Sequence, residues 1–184
     1  MHKKRRGLTI FFTGLSGAGK STIASEVLLR LDERCDQSVT LLDGDIVRKI
    51  LSSELGYSRE HRDINILRIG YVASEITKHD GIAICAVIAP YKATRQRVRE
   101  MVCQYGDFIE VYVATPLAEC EKRDPKGLYA KARAGQIREF TGVSDPYEPP
   151  VAPEITIDTL LSTPREAADF IVSYLAKKAH FGDY

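Results

Sequence analysis

The chain has 184 residues, of which 44% are hydrophobic and 28% charged, and its formal net charge is +1. This length suits one domain with a full core, and the near-neutral charge gives no indication of a nucleic-acid or membrane partner. No apolar run approaches the length of a transmembrane helix. The basic run at residues 2–6 is followed by too short an apolar stretch for a signal peptide, so we interpret it as a solvated flank.

The cysteines indicate a reducing environment. Cys35, Cys85, Cys103 and Cys120 are widely spaced and form no C-x-x-C pair, which excludes a zinc ribbon and argues against a disulfide framework. Cys85 lies within an apolar run and is predicted to be a small core residue. We therefore expect a cytoplasmic protein.

The first predicted element, an apolar strand at 8–12, leads into a phosphate-binding loop. Residues 14–21 read GLSGAGKS and match G-x-x-x-x-G-K-[ST] at every fixed position. Glycines let backbone N–H groups surround a polyphosphate, and the following helix directs its N-terminus at the same anion. Lys20 would contact the outer phosphates and Ser21 would offer its hydroxyl to Mg²⁺. The expected nucleotide-binding residues are Gly14, Leu15, Ser16, Gly17, Ala18, Gly19, Lys20, Ser21 and Thr22.

The remaining elements continue the alternation of strands and helices. Further strands are predicted at 39–42, 82–88, 108–113 and 155–157, and helices at 21–34, 46–53, 59–79, 94–104, 116–122, 128–134 and 164–178. Residues 123–153 are rich in glycine, proline and charge, which is typical of a mobile lid beside a phosphate site. We predict a single P-loop kinase domain over residues 1–184. Its fold class is α/β, a P-loop NTPase-like three-layer sandwich with a mainly parallel five-stranded sheet between helices.

Two acidic residues follow the second predicted strand. Asp43 and Asp45 should emerge at the carboxyl end of the sheet, where open α/β sheets bind ligands. Asp45 and Arg48 are three residues apart and share a helix face, so one could accept a hydroxyl proton or bind Mg²⁺ while the other binds an anionic substrate. A helix-capping role for Asp45 remains an alternative. Arg62 and Asn65 share the same spacing on the next helix.

The charges at 123–129 allow two interpretations. Arg123, Asp124 and Lys126 surround a rigid turn at Pro125. A lid that carries Arg123 and Lys126 could close over phosphates and exclude water. A charged surface loop would have the same composition, so the two interpretations remain open on the residues alone.

The order of these motifs resembles one known family. The segments GLSGAGKST, LDGDIVR, LGYSREHRDINILR, IAPYKATR and RDPKGLYAKARAGQIREFTGVSDPYEPP are similar to those of adenylylsulfate kinase, over about residues 8–150. The resemblance implies transfer of phosphate from ATP to the 3'-hydroxyl of adenosine 5'-phosphosulfate in sulfate activation. It also implies Mg²⁺ as cofactor, a homodimer, and association with or fusion to ATP sulfurylase as an open alternative.

The same resemblance assigns roles to individual residues. Asp45 would be the catalytic acidic residue beside the 3'-hydroxyl and Mg²⁺, with Lys20 as its catalytic partner and Ser21 as the other metal ligand. Arg123 would lie against the ATP adenine, and Lys126 would reach between the charged groups of the two substrates. The implied adenylylsulfate-binding residues are Asp45, Arg48, Tyr57, Arg62, Asn65, Ile88, Ala89, Lys126, Leu128 and Phe140.

Three positions depart from the family pattern. Tyr57 replaces a common Phe and, with Phe140, would still stack on the substrate adenine, because either ring offers a π face. Ala89 stands where the family usually has Ser, so a phosphoserine intermediate at this position is excluded, while direct transfer from ATP remains open. His61 replaces a frequent Asp and changes the local charge.

Three other functions remain alternatives. Another small-molecule kinase on this scaffold is the nearest, and a non-catalytic nucleotide-binding domain of a sulfate-activating assembly is the second. A GTPase switch is the third, since TKHD at 77–80 and DPKG at 124–127 superficially match guanine-nucleotide motifs. Their order along the chain is reversed and neither follows an apolar strand, which argues against the GTPase.

Overall fold

The computed structural model describes residues 6–178, which form an α/β sandwich. The strands are β1 (Leu8–Thr13), β2 (Val39–Asp43), β3 (Ile82–Ala86), β4 (Asp107–Val113) and β5 (Ile155–Ile157). The helices are α1 (Lys20–Arg34), α2 (Gly44–Ile50), α3 (Arg59–Lys78), α4 (Lys92–Cys103), α5 (Leu117–Arg123), α6 (Leu128–Arg133) and α7 (Pro164–Lys177). The strands pair in parallel in the order β2-β3-β1-β4-β5. The predicted fold class is confirmed.

The core lies on both faces of this sheet. All six residues of β1 are buried, because the strand is central and covered on each side. One face packs against α1 and α7, through side chains that include Val27 and Ile171. The other face packs against α3 and α4, through Ile69 and Val98. Strands buried on both faces have continuous apolar sequences, which is why the sequence alone located them.

Two element boundaries differ from prediction where the chain enters the site. Strand β3 ends at Ala86 rather than at residue 88, and Ala89 adopts a positive φ of 43° as the chain turns. Helix α2 begins at Gly44, because the Asp43 carboxylate accepts a hydrogen bond of 2.9 Å from the Asp45 N–H. Asp43 is therefore the cap, and the alternative that assigned capping to Asp45 is wrong.

The cysteines are free thiols throughout. Cys85 lies in the core as predicted, and burial raises the pKa of its thiol to about 12. Between residues 6 and 178 no helix combines the length and apolar character needed to cross a membrane. Most of the N-terminal basic run, residues 2–5, lies outside the described range.

Candidate active site

The phosphate-binding loop connects β1 to α1 at the carboxyl edge of the sheet. Gly14, Gly17 and Gly19 have positive φ values of 151°, 71° and 103°, a region that side chains disfavour. A Cβ on Gly14 would also lie 2.6 Å from the Val113 carbonyl oxygen. The tight turn brings backbone amides and the N-terminus of the 15-residue α1 to the same place, which favours binding of an anion.

Lys20 lies at the start of α1 with its side chain folded back onto the loop. Its Nζ donates a 2.7 Å hydrogen bond to the Leu15 carbonyl, and the residue is buried. Burial lowers the pKa of this amine to about 8, with the Lys126 charge acting in the same direction. The site thus holds a partly desolvated amine, and an anion that binds beside it stabilises the charged form of that amine.

Two carboxylates at the end of β2 have different partners. Asp43 Oδ2 accepts a 2.6 Å hydrogen bond from the Ser21 hydroxyl. The Asp45 carboxylate forms an ion pair with the Lys126 ammonium, which brings the predicted lid cation to the mouth of the site. The structure therefore places Asp43, rather than Asp45, beside the predicted metal ligand Ser21. In the sequence both aspartates come at the end of an apolar strand, so their position did not indicate which of them contacts Ser21.

One cavity of about 670 Å³ joins the loop to the lid. Of the predicted site residues, those that line it are Ser16, Gly17, Gly19, Lys20, Ser21, Thr22, Asp45, Arg48, Tyr57, Arg62, Asn65, Ile88, Ala89, Lys126, Leu128 and Phe140. Gly14, Leu15 and Ala18 belong to the same loop but do not line the cavity. Arg123 also lies outside its wall, where its guanidinium donates to Glu119 and to the Thr159 hydroxyl at 3.0 and 2.9 Å.

The wall formed by α2 and the turn at 55–57 is an interlocked set of contacts. The Arg48 guanidinium donates to the carbonyls of Leu55 and Gly56 and lies 4.3 Å from the centre of the Tyr57 ring. The Gly56 N–H donates a 2.8 Å bond to Nδ1 of His61. His61 thus orients the turn by accepting this hydrogen bond at Nδ1. Its position in the sequence did not reveal that role.

The wall formed by α3 contains two buried polar residues. The Arg62 guanidinium donates to the Tyr57 carbonyl, the Thr141 hydroxyl and the Asp145 carboxylate at 2.8, 2.9 and 2.5 Å. Asn65 is buried, and its Oδ1 finds no hydrogen-bond partner among residues 6–178. A buried polar atom without a partner is costly, so this position favours a bound polar ligand.

The turn that contains Ala89 is supported from behind by Arg95. Its guanidinium is buried and donates to the carbonyls of Ala89 and Glu148 at 2.8 and 2.7 Å, and to Glu110 at 3.0 Å. Arg95 was not predicted as a site residue. Its spacing from Val98 and Val102 places it on the buried stripe of α4, and that spacing was the available signal.

The fold and this site together define a class of protein. A phosphate-binding loop at the carboxyl edge of a parallel sheet, joined by one cavity to a carboxylate and to arginines, is the arrangement of a P-loop phosphotransferase. The family model for adenylylsulphate kinase matches residues 6–158. The chain belongs to the adenylylsulfate kinase family.

Individual relatives agree with this assignment. The adenylyl-sulfate kinase of Halothermothrix orenii is 50% identical over 97% of this chain and 94% of its own length. The structure of the Mycobacterium tuberculosis APS kinase CysC, in complex with AMPPNP and APS, superposes with a TM-score of 0.88 at 39% identity, covering 93% of this chain and 98% of that one. A sulfate adenylyltransferase of Neurospora crassa is 51% identical over 85% of this chain but only 27% of its own length.

Proposed function

We propose that this chain transfers the γ-phosphoryl group of ATP to the 3'-hydroxyl of adenosine 5'-phosphosulfate in sulfate activation. The observation that carries the proposal is one cavity, which is lined both by the phosphate-binding loop and by Asp45, Arg48 and Arg62. Membership of the family supports the same reaction.

The donor end of the cavity holds the nucleotide phosphates. The loop amides and the N-terminus of α1 bind the β- and γ-phosphates, and Lys20 exchanges the Leu15 carbonyl for a phosphate oxygen. Positioning and charge stabilisation supply most of the catalysis in phosphoryl transfer, so a preformed loop of this kind is sufficient for the donor half. The adenine contact assigned to Arg123 remains a prediction.

The residues near the loop also fit Mg²⁺. Magnesium prefers oxygen ligands from a hydroxyl or carboxylate together with substrate phosphates, and Ser21 and Asp43 present such oxygens 2.6 Å apart. Asp45 follows two residues later and remains a predicted ligand. When bound, the ion neutralises charge on the transferring phosphoryl group.

The acceptor end holds the adenylylsulfate. Asp45 accepts the proton of the attacking 3'-hydroxyl, because its carboxylate lines the cavity that also contains the phosphate-binding loop. Arg48, Arg62 and Asn65 bind the anionic and polar groups of the substrate, and the rings of Tyr57 and Phe140 stack on its adenine. Ala89 has no hydroxyl, so transfer is direct and involves no phosphoenzyme at this position.

The cellular setting is also a proposal. Four free thiols suit a reducing cytoplasm. The family resemblance in the sequence is the basis for proposing a homodimer. The match to part of a sulfate adenylyltransferase from Neurospora crassa supports a working association with that enzyme activity, in the same polypeptide or as a separate protein.

A coupled assay tests the reaction itself. With Mg·ATP and adenosine 5'-phosphosulfate, we expect formation of the 3'-phosphorylated product, identified by mass. A panel of other acceptors, including sugar acids and nucleoside monophosphates, provides the comparison. A higher kcat/KM for one of those acceptors would replace the proposed substrate, and calorimetric binding without turnover would indicate a non-catalytic nucleotide-binding domain.

The lowered pKa of Lys20 predicts proton uptake when nucleotide binds. Because burial brings the pKa to about 8, much of the amine is neutral at about pH 9, and the phosphate charge raises its pKa again. Binding of a non-hydrolysable ATP analogue should therefore take up a large fraction of one proton at that pH, and close to none near pH 7. Calorimetry in two buffers of different ionisation enthalpy measures this number.

The Lys20→Met variant is the control for proton uptake. It has no amine to titrate, so its binding enthalpy should be the same in both buffers after correction for dilution. Uptake that persists in the variant would assign the titration to another group.

A further inference from the structure

Three segments that form the walls of the acceptor end are all in contact with one residue, Asp145. Asp145 Oδ2 accepts hydrogen bonds from Arg62 of α3 at 2.5 Å and from the Tyr91 hydroxyl at 2.6 Å. The side chains of Arg62 and Asp145 are only 10% and 17% exposed, so their ion pair is little screened by solvent. We propose that Asp145 is a positioning residue, which holds these walls in the arrangement that receives the adenylylsulfate.

The first wall is Arg62 itself. Its side chain reaches the cavity, yet its donors are directed at Tyr57, Tyr91, Thr141 and Asp145, with a further bond to the Glu139 carbonyl. A flexible arginine loses several rotatable bonds when it is fixed in this way. Asp145 supplies the charge that compensates, so Arg62 is already oriented before the substrate arrives.

The second wall is the lid turn at 140–145. The Asp145 N–H donates to the Phe140 carbonyl at 3.1 Å, and the Asp145 carbonyl accepts from the Gly142 N–H at 2.8 Å. The turn is closed on itself and attached to α3 through the carboxylate. Phe140, whose ring lies 5.0 Å from that of Tyr129, is thereby placed on the cavity wall.

The third wall is the turn that precedes α4. Tyr91 is the N-cap residue of α4 and directly follows Ile88, Ala89 and Pro90, which line the cavity. Its hydroxyl donates to Asp145 at 2.6 Å, and burial raises the pKa of that phenol to about 12. We call this set, formed by Arg62, Tyr91, Asp145 and the turn at 140–145, the Asp145 clamp.

The clamp predicts a selective effect on one substrate, and this inference rests on the proposed function. In Asp145→Ala we expect KM for adenosine 5'-phosphosulfate to rise about tenfold or more, with KM for ATP within about twofold, because only the acceptor end loses its support. Asp145→Asn should recover KM to within about threefold, since one amide oxygen accepts from both donors. Steady-state kinetics with each substrate varied in turn provides the measurement.

Asp169→Ala is the matched control. It removes a carboxylate of α7 that lies 2.5 Å from the Arg30 guanidinium of α1. Neither residue lines the cavity. Its two KM values should equal those of the wild type. An unchanged KM for adenylylsulfate in Asp145→Ala, or an equal rise in both KM values, would refute the positioning role.

A second measurement does not depend on the reaction. Arg138 is an exposed trypsin site within the lid, and loss of the clamp should increase its cleavage rate in the ligand-free protein about tenfold relative to Asp169→Ala. Equal rates would count against the clamp. If the wild type fails to phosphorylate adenylylsulfate, the proposed function is refuted, and the trypsin rates alone then decide the inference.

Discussion

Replacing Asp45 by Asn is expected to lower kcat by about 100-fold or more while changing KM for ATP little. The variant keeps the shape of the side chain and removes the charge that accepts the hydroxyl proton. Its backbone should stay in place, because the Asp45 N–H is held by the Asp43 carboxylate at 2.9 Å. Single-turnover measurements with saturating ATP and adenylylsulfate would report the chemical step directly.

The Asp45 prediction has two controls. Asp32→Asn changes an exposed carboxylate on α1 and should have wild-type kinetics. Lys126→Met breaks the ion pair with Asp45 from the other side and also removes a predicted substrate contact, so a smaller loss in Lys126→Met than in Asp45→Asn would show that the Asp45 charge acts beyond this ion pair. Turnover close to the wild-type rate in Asp45→Asn would remove Asp45 from the catalytic role.

Replacing Lys20 by Met should reduce kcat/KM for ATP by about 10² to 10³-fold, the usual loss when one preorganised group that faces developing charge is removed. The Lys20 ammonium lies inside the phosphate-binding loop, 2.7 Å from the Leu15 carbonyl, and is buried. Methionine fills similar volume without a charge, so the loop should keep its fold. Steady-state rates at several ATP concentrations separate the effects on kcat and KM.

Lys78→Met is the matched control for Lys20. Lys78 is the last residue of α3, at the opposite edge of the sheet, and its side chain is 43% exposed beside Glu75. Exposed ion pairs of this kind contribute little to the free energy of unfolding. Both the kinetics and the urea unfolding of the variant should therefore match the wild type. Equal losses in the two variants would contradict a specific role for Lys20.

The elements were predictable because their signals are local. Each buried strand is a short apolar run between turn residues, and α1, α3 and α7 repeat apolar side chains at helical spacing. Errors occurred at element ends, where a side-chain cap or a turn of the chain sets the boundary. The Asp43 cap started α2 two residues early, and the turn at Ala89 shortened β3.

The site was predicted less completely than the fold. The phosphate-binding loop is continuous in sequence, so its residues were identified together, and family membership agrees with the motifs that suggested it. His61, Arg95 and Asp145 act through partners from other segments. Spacing could indicate that Arg95 is buried, but it does not identify the partners of these residues, because those depend on how α3, α4 and residues 123–153 pack.

The sequence by itself determined the α/β class, the phosphate-binding loop and the presence of two aspartates near it, but not which of them contacts Ser21. These follow from backbone freedom at glycines, hydrophobic periodicity and the rule that parallel strands present ligand-binding groups at their carboxyl ends. Only the tertiary structure decided that Ser21 meets Asp43, that Asp45 meets Lys126, and that Arg62 is oriented by Asp145. Hydrogen bonds and ion pairs act over a few ångströms, so they are set by the packing of segments far apart in the chain.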